Sequence, residues 1–212
     1  MRRIPVWLKA VYTAFVAAIV PVYVRQYGWR NFLWFSDVAL LLTVPALWLE
    51  RPLLASMQAV SVAVPETGWT IDLAARGLSG TRVIGLADYM FDRKIPRAIR
   101  ALSLFHLWLP PLLLWTVWRL GYDRRAFQAQ TLLTWTVLVT TYHVTDPADD
   151  INWVFGPSGS PQQRIDRRVY FLLVMAMYPL AFHWPAHLAL RRLFPYPSDA
   201  ATLDRAAATA AR

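Results

Sequence analysis

A polytopic bundle of about six transmembrane α-helices is the fold this sequence predicts, and three observations predict it. Hydrophobic residues make up 57% of the 212 and charged residues 17%, against about 45–50% and roughly 25% in ordinary soluble domains; the mean hydropathy is +0.32. The apolar residues are grouped into runs of 16 to 22 parted by arginine-rich joints, which is the arrangement of spans and loops. Several of the eleven tryptophans stand near the ends of those runs, where amphipathic rings anchor at headgroup depth.

The first span is expected over 4–24. Its basic start resembles a signal peptide, but the apolar run is long and lacks a small-x-small cleavage site, so a retained helix is expected, with Lys9 snorkelling from its end. The second, 32–49, carries Asp37 near its start and Pro45 near its end. Pro52, at the start of the third span (53–75), suits a first helical turn, where its missing N–H would be unpaired anyway. That third span is the least apolar, holding Gln58, Glu66 and Asp72, and Pro65 is expected to kink it. A mixed apolar and basic joint, 76–97, suits a segment lying on the membrane surface. The fourth span, 98–118, holds His106 and Pro110-Pro111, the fifth covers 129–145 and the sixth 169–190. One domain, 1–192, is followed by a polar, Ala-rich tail, 193–212; no internal repeat is present.

The net charge of +9 does not point to nucleic acid, because the twenty arginines and two lysines are scattered in pairs between spans and line no single stripe. Membrane lipids with anionic headgroups are the partner it implies. Cysteine is absent, which excludes disulfides, thiolate metal sites and thiol nucleophiles. Lysine and arginine divide eleven to eleven between the two sides, so the positive-inside rule is tied; Arg2, Arg3 and Lys9 at the first helix favour a cytoplasmic N-terminus in an inner, multi-pass setting.

Ionisable groups within spans cost about 2.5–3.5 kcal/mol at the helix centre, so they usually face the bundle interior. Following the helices up and down places Asp37, Glu66, Asp72, His106, His143 and Asp146 near one membrane surface, that of the first, third and fifth joints. His143 and Asp146 are three apart, the spacing that lets a carboxylate orient a histidine on one helix face. The stretch Tyr142–Gly156, YHVTDPADDINWVFG, adds Asp150, Asn152 and Trp153. Its Asp146-Pro147-Ala148-Asp149 also reads as a helix cap, a first-turn proline and a third-position acid, a structural use that needs no chemistry. Asp37 after Ser36 equally suits a helix start, Glu66 and Asp72 could lie at headgroup depth, and His106 could simply bond a neighbouring carbonyl. His183 and His187 have the spacing of paired metal ligands, but Pro185 lies between them and they sit on the opposite side from the cluster, so no metal site is assigned there. Neither a phosphate-binding loop nor a nucleophile elbow occurs.

The segments NFLWFSDVALLLTVPALWLE, GLADYMFD, FHLWLPPLLLW and DPADDINWVFG resemble a bacterial family of small polytopic membrane-associated proteins of uncharacterised activity. In layout alone, six spans with an early polar second helix and a histidine in the fourth, the chain is also similar to the androgen-induced family of intramembrane threonine hydrolases. That likeness implies a reactive threonine, and here the second helix offers Ser36 and Asp37 at its start, with Thr43 deeper.

Three functions are open on these residues. A lipid-directed hydrolase or acyltransferase would use His106 or His143 as general base, Asp37 or Asp146 to orient it, Ser36 as nucleophile, and Asn152 or Trp153 as donor to a developing oxyanion; Glu66, Asp72 and Asp150 would line its pocket. A divalent metal held by the cluster could instead activate water. A proton-linked carrier would relay protons through Glu66, Asp72 and the histidines, working as a homodimer given its small size. A non-catalytic assembly protein would use the cluster only to tie helix ends together.

Overall fold

The computed structural model describes residues 3–157 and 160–194; beyond 194, the expected tail lies outside the described residues. All regular structure among the described residues is helical. α1 is Val6–Tyr27, α2 Phe35–Leu49, α3 Pro52–Ser79, α4 Arg97–Leu102, α5 Phe105–Leu120, α6 Ala126–Val144, α7 Arg167–Met177 and α8 Trp184–Leu193. A tight turn at Ser103-Leu104 joins α4 to α5, and a π-helical turn, Tyr178–His183, joins α7 to α8, so the long helices number six. Pro52 does open α3, and Gly28 and Gly121, with φ of +81° and +89°, end α1 and α5 in a conformation that side chains with a Cβ resist.

Three of these helices, Val6–Tyr27, Arg97–Leu120 and Arg167–Leu193, are long and apolar enough to cross a membrane. α2 is apolar but short. α3 and α6 carry the polar residues: Gln58, Glu66 and Asp72 in α3, and five threonines in α6. The hydroxyls of Thr136, Thr140 and Thr141 each donate to the carbonyl four residues back, at 2.8–2.9 Å, which hides their polarity within the helix.

α3 is the centre of the bundle, packed against α2, α5, α6 and the π turn. Cross-links fix which joints share a face. On one side, Arg30 of the first joint reaches Asp146 and Asp149 of the fifth at 3.1 and 3.2 Å. Tyr89 of the third joint folds back beside Trp69, in the second half of α3. On the other side Glu50 takes Lys9 Nζ at 2.6 Å and Ile4 N–H at 3.2 Å, Ser56 Oγ accepts Asp123 N–H, and Tyr122 N–H donates to the Phe194 carbonyl. Lys9 therefore does not simply reach for water: it is buried and ends on Glu50. The third joint is held by α3 itself. Both oxygens of the fully buried Asp72 accept backbone N–H groups, Oδ1 from Val83 and Ile84 and Oδ2 from Gly85 and Ala87, at 2.9–3.1 Å.

Candidate functional site

The site is built where α4 meets α5. Ser103 and Leu104 break the α geometry, and the His106 N–H donates to the Ser103 carbonyl, an i→i−3 bond. Residues three apart eclipse in such a turn, so Ser103 and His106 lie on one face, toward α1 and α3. His106 Nδ1 meets Glu66 Oε2 at 2.7 Å, with side chains only 13% and 5% exposed. The imidazole is stacked between Trp69 (4.7 Å) and its neighbour Phe105 (4.2 Å), and Trp69 lies one helical turn beyond Glu66. Ser103 Oγ shares a 2.7 Å hydrogen bond with Tyr23 Oη of α1, and the Tyr89 hydroxyl sits among Ser103, Tyr23 and Glu66.

Asp37, in the first turn of α2, is buried and lies within electrostatic range of Glu66. Asn31 Nδ2 donates to its Oδ2 at 3.1 Å; its Oδ1 is buried without a hydrogen-bond partner among the described residues. Asn31 and Asp37 thus form one hydrogen-bonded pair and Glu66 and His106 a second, the two carboxylates being within electrostatic range of each other.

The remaining sequence candidates are elsewhere. His143 is exposed and only its ring edge meets Tyr142. The expected pairing of His143 with Asp146 does not form, because α6 ends at Val144 and Thr145 is extended (φ −115°, ψ 159°), which swings Asp146 off the helix face. Asp146 closes a capping box with Asp149 instead, and the two carboxylates hold Arg30, whose pKa is raised by its hydrogen bonds to Asp146 and then to Asp149. The helix that this cap would start is two 3-10 turns, broken where Asp150, Asn152 and Trp153 take positive φ (51°, 53° and 58°). Asn152 is a brace: it donates to the Leu33 carbonyl at 2.7 Å and accepts from Phe35 N–H at 3.4 Å, pinning the start of α2. The Trp153 carbonyl takes the Tyr170 hydroxyl. Asp72 is a loop clamp and not a pocket wall. Among the described residues no hydrogen bond links Ser36 to Asp37, His106 or His143, and no three His, Asp or Glu side chains group as metal ligands.

At the opposite end, His187 Nδ1 meets the Tyr122 hydroxyl at 2.7 Å and His183 Nε2 meets Thr134 Oγ1 at 3.4 Å. Each histidine of the spaced pair thus has its own hydroxyl partner. Arg30, Asn31, Tyr23, Tyr89, Trp69 and Ser103 are site residues that sequence reasoning missed. Ser103 and Trp69 could have been found from their spacing of three to His106 and Glu66; the others come from distant segments and carry no local signal.

The geometry defines a membrane-type helical bundle with a buried carboxylate–imidazole pair at one end. Comparison of the chain with family models, curated proteins and solved structures gives no match.

Proposed function

We propose that the chain is a multi-pass inner-membrane protein whose six helices all cross the bilayer, and that it performs acid–base chemistry on an acyl bond of a lipid at one membrane–water interface. The observation that carries this reading is the 2.7 Å bond between His106 Nδ1 and Glu66 Oε2 inside the bundle. A carboxylate on Nδ1 selects the tautomer with its proton there, leaving the Nε2 lone pair as base, and it stabilises the imidazolium formed when that base takes a proton. His106 is the general base and Glu66 its orienting partner. With no side-chain hydroxyl hydrogen-bonded to His106 among the described residues, the nucleophile is water or the hydroxyl of an acyl acceptor, not Ser36. Its oxygen bonds to the acyl carbon as its proton passes to Nε2. The carbon–oxygen bond to the leaving alcohol then breaks, and the alcohol's oxygen takes that proton back. The hydroxyls of Tyr89 and Ser103, on the same side of the bundle as the pair, supply donors for the oxyanion.

Fatty-acid release from vesicles carrying a fluorogenic diacyl lipid tests this. Wild type turns the lipid over, while His106→Gln falls by at least about a hundredfold, the usual scale of a general base, at equal insertion. Turnover unchanged by the substitution removes the reading.

A second reading has its own observation. Asp37 and Glu66 are two buried carboxylates in electrostatic range of each other, an arrangement that suits a proton-linked carrier. Proton uptake without lipid turnover in the same vesicles would select it.

A further inference from the structure

An open cavity of about 430 Å³ lies on the same face, between the first and fifth joints. Its wall includes Tyr27, Trp29, Arg30, Asn31, Trp34 and Asp149, so three aromatic rings surround one cation and one carboxylate. The one cation here is already outnumbered: Arg30 Nη1 is shared by the carboxylates of both Asp146 and Asp149, so the group is net negative. A purely anionic ligand therefore gains little, and it would meet two carboxylates. The pair is also incompletely used. Among the described residues, both ion pairs run through Nη1, which leaves the Nε and Nη2 donors of a guanidinium that is 41% exposed. Among the same residues Asp149 engages Oδ2, for Arg30 and for the Asp146 N–H, which leaves Oδ1.

We propose that this cavity is a binding site for the headgroup of a zwitterionic aminophospholipid. The phosphate takes the remaining donors of Arg30, whose fork the two carboxylates hold in place. The ammonium takes Asp149 Oδ1 and the faces of Trp29, Trp34 and Tyr27, which attract a cation through their ring quadrupoles. The position suits a lipid: aromatic side chains at the ends of apolar helices mark headgroup depth, and α1 and α2, which flank the cavity, are apolar. The site also deepens the reading of the acid–base pair and rests on it for its purpose. Asn31, part of the cavity wall, is hydrogen-bonded to Asp37, so a headgroup held here leaves its acyl esters beside the bundle that contains Glu66 and His106.

The test uses the full chain in detergent, titrated with short-chain phosphatidylethanolamine, phosphatidylglycerol and soluble glycerophosphoethanolamine, with bound species counted by native mass spectrometry. Phosphatidylethanolamine binds about tenfold more tightly than phosphatidylglycerol, the factor one charge-assisted bond supplies. Arg30→Gln and Asp149→Asn each erase that preference, while Arg93→Gln on the third joint keeps it. Should Arg30→Gln fail to fold, Arg30→Lys and Trp29→Leu carry the test, and either must weaken phosphatidylethanolamine. Equal binding of the two lipids, a preference that survives these substitutions, or soluble glycerophosphoethanolamine binding as tightly as the lipid overturns the assignment. The two readings fail separately. Headgroup-blind turnover that still depends on His106 removes this site and keeps the catalysis; an intact headgroup preference with no turnover does the reverse.

Discussion

Glu50 shows how a single residue in a joint can carry a measurable share of stability. It takes both Lys9 Nζ and the Ile4 N–H, and its pKa is lowered chiefly by the Lys9 hydrogen bond. A depressed carboxylate contributes stability that is present above its ordinary pKa, near 4.5, and is lost as pH falls through the folded value. Glu50→Gln is therefore expected to cost about 2 kcal/mol at neutral pH, on the scale of a charge-assisted hydrogen bond, and the gap to wild type should close in an acid titration of thermal stability. A gap of constant size across that titration would falsify the assignment. Asn152 is the matching case on the other face: Asn152→Ala leaves Phe35 N–H and the Leu33 carbonyl without their partner and should lower the unfolding free energy by about 1–3 kcal/mol, with no change in headgroup preference. At this scale the sequence was half legible. Glu66, Asp37 and His106 announced themselves because ionisable groups inside spans are costly. Their partners did not, since Glu66 and His106 are 40 positions apart and Arg30 and Asp146 are 116 apart. The one pair that local spacing did suggest, His143 with Asp146, assumed a helix that ends two residues too early.

The elements were largely readable, since a long apolar run between basic joints satisfies its backbone away from water most simply as a helix; α3 continues to Ser79 where the expected span stops at 75. What periodicity could not reveal is the π turn. The buried positions there are Val174, Tyr178, Pro179, His183, Ala186, His187 and Leu190, steps of one, three and four that an ordinary α-helix also makes, so burial spacing alone does not mark the turn. Its cause is in the sequence: Pro179 and Pro185 bring no N–H, and proline disturbs the α ladder where a π bulge absorbs the strain. Among the described residues, the buried His183 has no partner for its Nδ1, and Gln130 Oε1 and Thr131 Oγ1 of α6 are in the same state. His183→Phe removes that orphaned nitrogen together with one long bond, Nε2 to Thr134 at 3.4 Å, whereas Thr134→Val takes the partner from both Gln130 Nε2 and His183 Nε2. Thr134→Val is therefore expected to lower the melting temperature more than His183→Phe. The opposite ranking in thermal unfolding would show that His183 is held by something this packing does not contain.

For the whole molecule, the alternation of faces is what gives the site its meaning, and the absence of cysteine makes it easy to test. Single variants Trp29→Cys, Arg93→Cys and Gln162→Cys should react with an impermeant maleimide from one side of sealed vesicles, and Arg51→Cys and Arg124→Cys from the other. Labelling of the first and third joints from opposite sides would break the bundle as described. The even division of basic residues leaves orientation to Arg2, Arg3 and Lys9, which favour a cytoplasmic N-terminus; the same labelling decides it. The most direct test of the central claim remains the acid–base pair. Lipid-ester turnover per inserted molecule should be measured for wild type, Glu66→Gln and His106→Gln in the same vesicles. The account predicts that both variants insert normally, lose most of kcat and keep KM, because the pair acts on the transition state and not on the bound lipid. Full kcat in Glu66→Gln, or disappearance of both variants from the membrane, would contradict it and leave the pair a tie between two helices.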